Sequence, residues 1–369
     1  LATGFAGNSP WSGEATLAGM LHDLGKYADK FQARLRGEAS GLDHWSPGAW
    51  AALTEYQAVA AALAIQGHHI GLQQGGLQHL RKLGEPHPTQ LQLSDPDLGR
   101  LKLRAASDGI FISKPEHCIF TPPAIFHKQL ADMLDVRMLF SCLTDADFLD
   151  TAAHFEGGGR DKGPILDASE ALQALTDFMN NSVRSSSKAD QSVLDARNLL
   201  WDMVTTAAAR PAGLLTLTAP TGSGKTLAML KFALEHAVRN NLKRIALVVP
   251  FLSIIEQTAG IYRSVFHDYP PNYVLEHHSM AGLGSEEAKD DAEAENERAR
   301  RLLSENWDAP IIITTNVQLL ESLFSNRPSA CRKLHNLMES VIMFDEAQTL
   351  PQTLAVPTLA ALSHLSTAY

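Results

Sequence analysis

Ala219-Pro220-Thr221-Gly222-Ser223-Gly224-Lys225-Thr226 is the stretch that decides the fold of the C-terminal half of this chain. The β-branched and apolar run Leu214–Thr218 before it reads as a strand, and Leu227–Ala237 after it reads as a helix. A glycine-rich turn between strand and helix lets backbone N–H groups converge on phosphate oxygens at the positive end of a helix dipole. Thr221, Gly222, Ser223 and Gly224 then form the cradle, Lys225 supplies a point charge to the outer phosphates, and the Thr226 hydroxyl is placed to ligate magnesium. ATP with magnesium is the expected ligand.

Outward from this loop, further strand-like runs at Ile245–Val249, Ile311–Thr315 and Val341–Phe344 alternate with helix-length stretches, which predicts an α/β domain with a mainly parallel sheet. Ser285–Glu305 is dense in charge and reads as a helix that is either a solvated face or an inserted excursion. A phosphate loop of this kind needs carboxylates at the end of a neighbouring strand. Asp345 and Glu346, directly after Val341–Phe344, supply them: Asp345 for the magnesium, Glu346 as the base that polarises the attacking water.

Asp345-Glu346-Ala347-Gln348 is similar to the acidic box of superfamily-two helicases, and Val249-Pro250-Phe251 with Ser253 to Gln257 resembles their next motif. Val274-Leu-Glu-His-His-Ser279, Glu305-Asn-Trp-Asp308-Ala-Pro310 and Thr314-Thr-Asn-Val-Gln-Leu-Leu-Glu-Ser322 extend the likeness. Together these runs resemble the CRISPR-associated helicase-nuclease of type I systems, over essentially the whole chain. The resemblance implies a RecA-like first helicase lobe and places Thr314, Thr315, Asn316 and Gln318 near a DNA strand. No Ser/Thr-Ala-Thr motif follows Gln348, so a second lobe is expected to lie outside this sequence, and ATP turnover by these residues alone is expected to be slow.

The other half reads as all-helical, and nine of the fifteen histidines lie before residue 156. His22 and Asp23 are adjacent and read as lying inside a helix, and imidazole with carboxylate suits divalent transition metals. A helix is expected to start with Ser46 as cap and Pro47 at its first position, and to run to Gln66, with Gly67 as its stop. His44 stands just before that helix and His68-His69 just after it. Consecutive imidazoles at a helix end are poorly explained by packing and read as metal ligands. His79, His87, His117 and His154 read as ordinary core or surface residues.

These elements are similar to HD-type metal-dependent phosphohydrolases, including the nucleases of type I CRISPR systems. The resemblance implies a late aspartate, Asp147 with Asp145 as fallback, and a ligand set of His22, Asp23, His44, His68, His69 and Asp147. It implies manganese, nickel, cobalt or iron as the metal. Lys26 reads either as stabilising phosphate charge or as a solvated helix residue. Such nucleases usually add a histidine upstream of the His-Asp pair, and residues 1–21 contain none, so incomplete metal loading is expected.

The domains expected are an HD nuclease over 1–160, a linker with leading helices over 161–212, marked by Gly157–Gly159 and Ser185–Ser187, and the helicase lobe over 213–369. Gly84–Pro96 reads as a surface loop. The partners expected are single-stranded DNA and a guide-RNA surveillance complex. Two other readings stand beside this one: an HD nucleotide phosphohydrolase fused to an ATPase, and a non-catalytic docking module. A net charge of −10 rules out a general polyanion-binding surface, so nucleic acid must be met in a local groove. No apolar stretch approaches the ~18 residues of a membrane span, and three scattered cysteines support neither a disulfide framework nor a cysteine zinc site, which points to a cytoplasmic setting.

Overall fold

A computed structural model of the chain describes residues 1–40, 43–73, 95–120, 130–156, 163–184, 190–278 and 302–369. The chain divides into two compact units: Leu1–Arg160 with Glu321–His335, and Asp161–Leu320 with Asn336–Tyr369. Most of Gly84–Pro96 and Ser285–Glu305, the glycine and serine runs at 157–159 and 185–187, and His79 and His87 lie outside the described residues.

The first unit contains helices and no strand among its described residues: α1 (Ala2–Ala6), α2 (Ser12–Leu21), α3 (Asp29–Leu35), α4 (Ser46–Thr54), α5 (Val59–Ile70), α6 (Leu98–Ser107) and α7 (Leu130–Glu156). Its core is small and close-packed. Ala60, Ala61, Ala62, Ala64 and Ile65 of α5 are fully buried, as are Ala15, Ala18 and Leu21 of α2 and Met138, Leu139 and Leu143 of α7. Alanine on every turn lets neighbouring backbones approach closely, which suits a site built from several helices. One polar group pins this packing: buried Glu14 accepts the Ala61 N–H at 3.0 Å and the Ile119 N–H at 2.7 Å, and burial raises its carboxyl pKa against the pull of those hydrogen bonds.

Two local expectations change here. The helix expected from Ser46 to Gln66 is two helices, broken at Glu55–Ala58 where Gln57 has φ 58°. Gly67 continues α5 rather than ending it. The left-handed residue that stops the helix is Gly71, at φ 90°.

The second unit is α/β. It opens with α8 (Ala168–Phe178) and α9 (Gln191–Ala208), followed by α10 (Lys225–Asn240), β1 (Arg244–Val249), α11 (Leu252–Val265), β2 (Val274–His277), β3 (Ile311–Thr315), α12 (Asn316–Phe324), α13 (Pro328–Cys331), β4 (Ser340–Phe344) and α14 (Gln352–Ala368). The segment Glu321–His335, with the end of α12 and all of α13, belongs to the first unit. The four strands are all parallel in the order β2-β3-β1-β4, with Leu247 opposite Ile313 on one side and Met343 on the other. Central β1 is apolar on both faces, the pattern of a parallel strand covered by helices. Leu230, Ala233 and Leu234 of α10 and Ile255, Ala259 and Tyr262 of α11 share its core.

Leu214–Thr218 is not a strand. The run carries no regular secondary structure and forms no ladder with any described residue, and Leu214, Leu215 and Leu217 are 54%, 39% and 41% exposed. β-propensity describes a fit to a pleated, half-buried surface, and without a neighbouring strand to supply the ladder it yields no sheet. No helix among the described residues is long and apolar enough to cross a membrane.

Candidate metal centre and nucleotide site

In the first unit, three turns of backbone bring the histidines together. α2 ends at Leu21, so His22 caps it and Asp23 opens a short 3-10 turn, Leu24–Tyr27; the pair does not lie inside a helix as expected. The turn is held by the Gly25 N–H, which donates to the His44 carbonyl at 3.0 Å. Gly48 makes a closer approach still, since a Cβ there would stand 1.9 Å from the Leu21 carbonyl oxygen. Gly48→Ala must therefore push α4 off the end of α2. We expect a loss of about 1–3 kcal/mol of stability in urea unfolding, with weakened metal binding, and an unchanged unfolding midpoint would refute this close fit.

The side chains form two groups whose ligand atoms all lie within 4.8 Å of one another: His22, Asp23 and Asp147, and His44, His68 and His69. Asp23 joins them. Its Oδ2 is 3.3 Å from His22 Nε2 and its Oδ1 3.4 Å from His44 Nε2, while Asp147 Oδ1 is 3.6 Å from His22 Nε2 and His44 Nε2 is 2.9 Å from His69 Nε2. Separations near 3 Å are those of atoms sharing a first-row ion, whose bonds run about 2.0–2.2 Å. His22 Nδ1 donates to the Gly19 carbonyl at 2.7 Å and His68 Nδ1 to the Ile65 carbonyl at 2.6 Å, which leaves both Nε2 atoms facing the cluster. Such outer hydrogen bonds orient metal-binding imidazoles.

The residues fit a bound cation. His68 Nε2 and Asp23 Oδ1 are buried without a hydrogen-bond partner, a costly state that a metal ion would relieve. Burial pushes the His68 imidazole down to about 4, with His69 adding to it, so His68 is neutral and able to ligate at ordinary pH. Burial also lowers His44. At His22 burial lowers the pKa, but the hydrogen bond and charge of Asp147 with the charge of Asp23 outweigh it and leave the pKa raised; Asp147 is held below the usual carboxylate range by His22 against its own burial. Lys26 Nζ donates to Asp23 Oδ2 at 2.6 Å, at the exposed rim of the group. His117 and His154 join neither group.

In the second unit the glycine-rich loop at 219–224 leads into α10. Gly224 caps that helix in the left-handed region, at φ 79°, a conformation costly for a residue with a Cβ. Ser223 Oγ is buried and unpartnered. Lys225 Nζ lies 2.7 Å from Asp345 Oδ1 and 3.0 Å from Glu346 Oε1. The hydrogen bond to Asp345 and then that to Glu346 raise the Lys225 pKa, and the same lysine with Gln348 lowers Glu346. β4 fixes this geometry: the Asp345 N–H continues the ladder to the Val248 carbonyl at 2.9 Å, and Glu346 follows in a left-handed conformation, φ 52°, rare for a residue with a side chain. Arg197 of α9, which the sequence reading missed, donates from Nε to the Gly222 carbonyl at 3.3 Å. Only its place on a helix just upstream of the loop hinted at that contact.

The described parts of the quoted runs, at 274–278, 305–310 and 314–322, are linked to the same sheet. Asn316 Nδ2 donates to Thr349 Oγ1 at 3.1 Å, Thr315 Oγ1 accepts the Gln318 N–H at 3.2 Å as a helix cap, and Thr314 Oγ1 donates to the His277 carbonyl at 2.8 Å. Trp307 Nε1 donates to His277 Nδ1 at 3.0 Å, joining the run around 277 to the run around 307.

A DEAD/DEAH box helicase family profile matches residues 191–367. The CRISPR-associated nuclease/helicase Cas3 of Haloferax volcanii is 32% identical over 149 residues, covering 37% of this chain and 16% of that protein. The chain is thus similar to a DEAD/DEAH box helicase over 191–367 and to CRISPR-associated Cas3 over part of its length. Its fold is that of T. fusca Cas3 with AMPPNP, which matches with a TM-score of 0.60 at 18% identity over 99% of this chain and 45% of that one. T. fusca Cas3 with ATP matches with a TM-score of 0.57, again at 18% identity, over 96% of this chain and 43% of that one. The chain thus spans less than half the length of the relatives it matches.

Proposed function

We propose that the chain combines a metal-dependent nuclease of HD type, over residues 1–160, with the first RecA-like lobe of an ATP-driven DNA translocase, over 213–369, joined through 161–212, and that it degrades single-stranded DNA exposed by a type I CRISPR surveillance complex. The observation that carries the nuclease reading is the convergence of six ligands on two groups bridged by Asp23, with His68 Nε2 and Asp23 Oδ1 buried and unpartnered. His22, Asp23 and Asp147 would hold one ion, and His44, His68 and His69 a second. When bound, a pair of divalent ions such as manganese, nickel, cobalt or iron supplies an activated water and stabilises the leaving oxygen of a phosphodiester. The chain's own part is to keep His68 neutral, to orient His22 through Gly19, and to hold the Lys26 ammonium at the rim where a scissile phosphate would lie.

For the second unit, Thr221 to Thr226 bind the phosphates, Asp345 associates with magnesium and Glu346 serves as base. Lys225 lies where an outer phosphate would replace the two carboxylates as its partner. Thr314, Thr315, Asn316 and Gln318 lie on the path proposed for DNA. The test is manganese loading of the purified chain alongside cleavage of labelled single-stranded DNA, with and without chelator. We expect metal-dependent cleavage that chelator abolishes, and a chain that binds no divalent transition metal would overturn the nuclease reading.

A further inference from the structure

α7 carries two aspartates of opposite fate. Asp147 faces His22, whereas Asp145, two residues earlier, is 0% exposed and is held by Arg332, whose Nε and Nη2 donate to Asp145 Oδ1 at 2.8 and 2.7 Å. His335 Nε2 stands 3.6 Å from Asp145 Oδ2, and the Arg332 guanidinium lies over the Phe148 ring at 4.6 Å. One turn earlier, Ser141 Oγ accepts the His335 N–H at 3.0 Å and lies 3.0 Å from His335 Nδ1. A turn before that, Arg137 donates to the Ser325 carbonyl. Residues 137, 141 and 145 thus form one stripe of α7, each grasped by the segment Glu321–His335 that the chain inserts between β3 and β4.

We propose that Arg332 is a positioning residue for the metal site, acting through Asp145. The inference rests on the metal-site reading above. Helix geometry supplies the link: residues two apart point about 200° apart around the axis, so the rotation that fixes Asp145 against Arg332 also aims Asp147 at His22. A carboxylate stands about 6 Å from its helix axis, so a turn of about 10° moves it about 1 Å. Metal–ligand distances tolerate only about 0.2 Å. Asp145 is also buried where a cation must meet it, and without Arg332 the helix must shift to bring that carboxylate to water. The aim of a ligand in the first 160 residues is therefore set by a residue 185 positions further along the chain (332 − 147).

The experiment compares full-chain wild type, Arg332→Met, Arg332→Lys and the double variant Asp145→Asn with Arg332→Met. Manganese affinity is read by electron paramagnetic resonance and site geometry by the absorption spectrum of the cobalt-loaded chain. Thermal midpoint and binding of an ATP analogue serve as controls. Arg332→Met should bind manganese about 10–100-fold more weakly, the range for loss of an outer-shell partner, with an altered cobalt spectrum and unchanged nucleotide binding. Arg332→Lys should recover part of the affinity, since an ammonium keeps the charge but not the two-pronged grip. The double variant removes the buried charge and should regain the thermal midpoint while keeping the weak, altered metal site. It thereby also covers the case in which Arg332→Met fails to fold. Wild-type affinity in Arg332→Met, or stability and metal binding recovered together in the double variant, would overturn the inference. Wild-type chain that binds no manganese would instead bring down the metal-site reading itself.

Discussion

Replacing Asp23 with alanine should cut manganese-dependent DNA cleavage by roughly a thousandfold or more, while leaving binding of an ATP analogue unchanged. The magnitude follows from what the ions supply, several kcal/mol of transition-state stabilisation, at about 1.4 kcal/mol per tenfold in rate. Asp23 is the position of greatest leverage because its two oxygens face both groups, Oδ2 toward His22 and Oδ1 toward His44. Its removal also frees Lys26, whose ammonium donates to that carboxylate. The change should therefore lower metal content and rate together. The checks are metal analysis and single-turnover cleavage on the same preparation. Full cleavage by Asp23→Ala protein with unaltered metal content would refute the bridging role.

Lys225→Ala should weaken ATP binding about a hundredfold, because charge-assisted hydrogen bonds contribute about 1.5–3 kcal/mol each and the ammonium is the point charge proposed to meet the outer phosphates. A second effect acts in the same direction. Lys225 neutralises Asp345 and Glu346 at 2.7 and 3.0 Å, and without it a polyanionic ligand would meet two carboxylates unscreened. Calorimetric titration of an ATP analogue with magnesium measures the loss, and manganese loading of the first unit is the control. Affinity equal to wild type would remove Lys225 from the nucleotide site.

Much of the second unit was legible locally. The glycine-rich loop, three of the four strands and the acidic pair are contiguous runs whose periodicity and punctuation survive in any context that supplies a sheet. The strand expected at Leu214–Thr218 failed because a strand is a property of a pair, and no residue described here pairs with that run. In the first unit the residue types were legible as candidates for the proposed metal site, but their local setting was misread. Gly67 carries the same letter as a helix stop, yet the φ that ends α5 occurs at Gly71, and the turn after Leu21 is imposed by the distant His44 carbonyl.

By itself the sequence supplied the residue types from which the proposed chemistry is drawn: six imidazoles and carboxylates, a glycine-rich loop and the carboxylates that meet its lysine. Those are matters of residue type and short spacing. Only the tertiary structure decided which aspartate of α7 meets the histidines. Asp147 joins His22 across 125 positions (147 − 22), while Asp145, equally eligible as a residue type, is taken by Arg332. Only the tertiary structure, too, assigned Glu321–His335 to the helical unit. Both outcomes depend on buried charges finding partners from distant parts of the chain, and the energy of such a pair lies in its burial and geometry, which no local pattern of residues encodes.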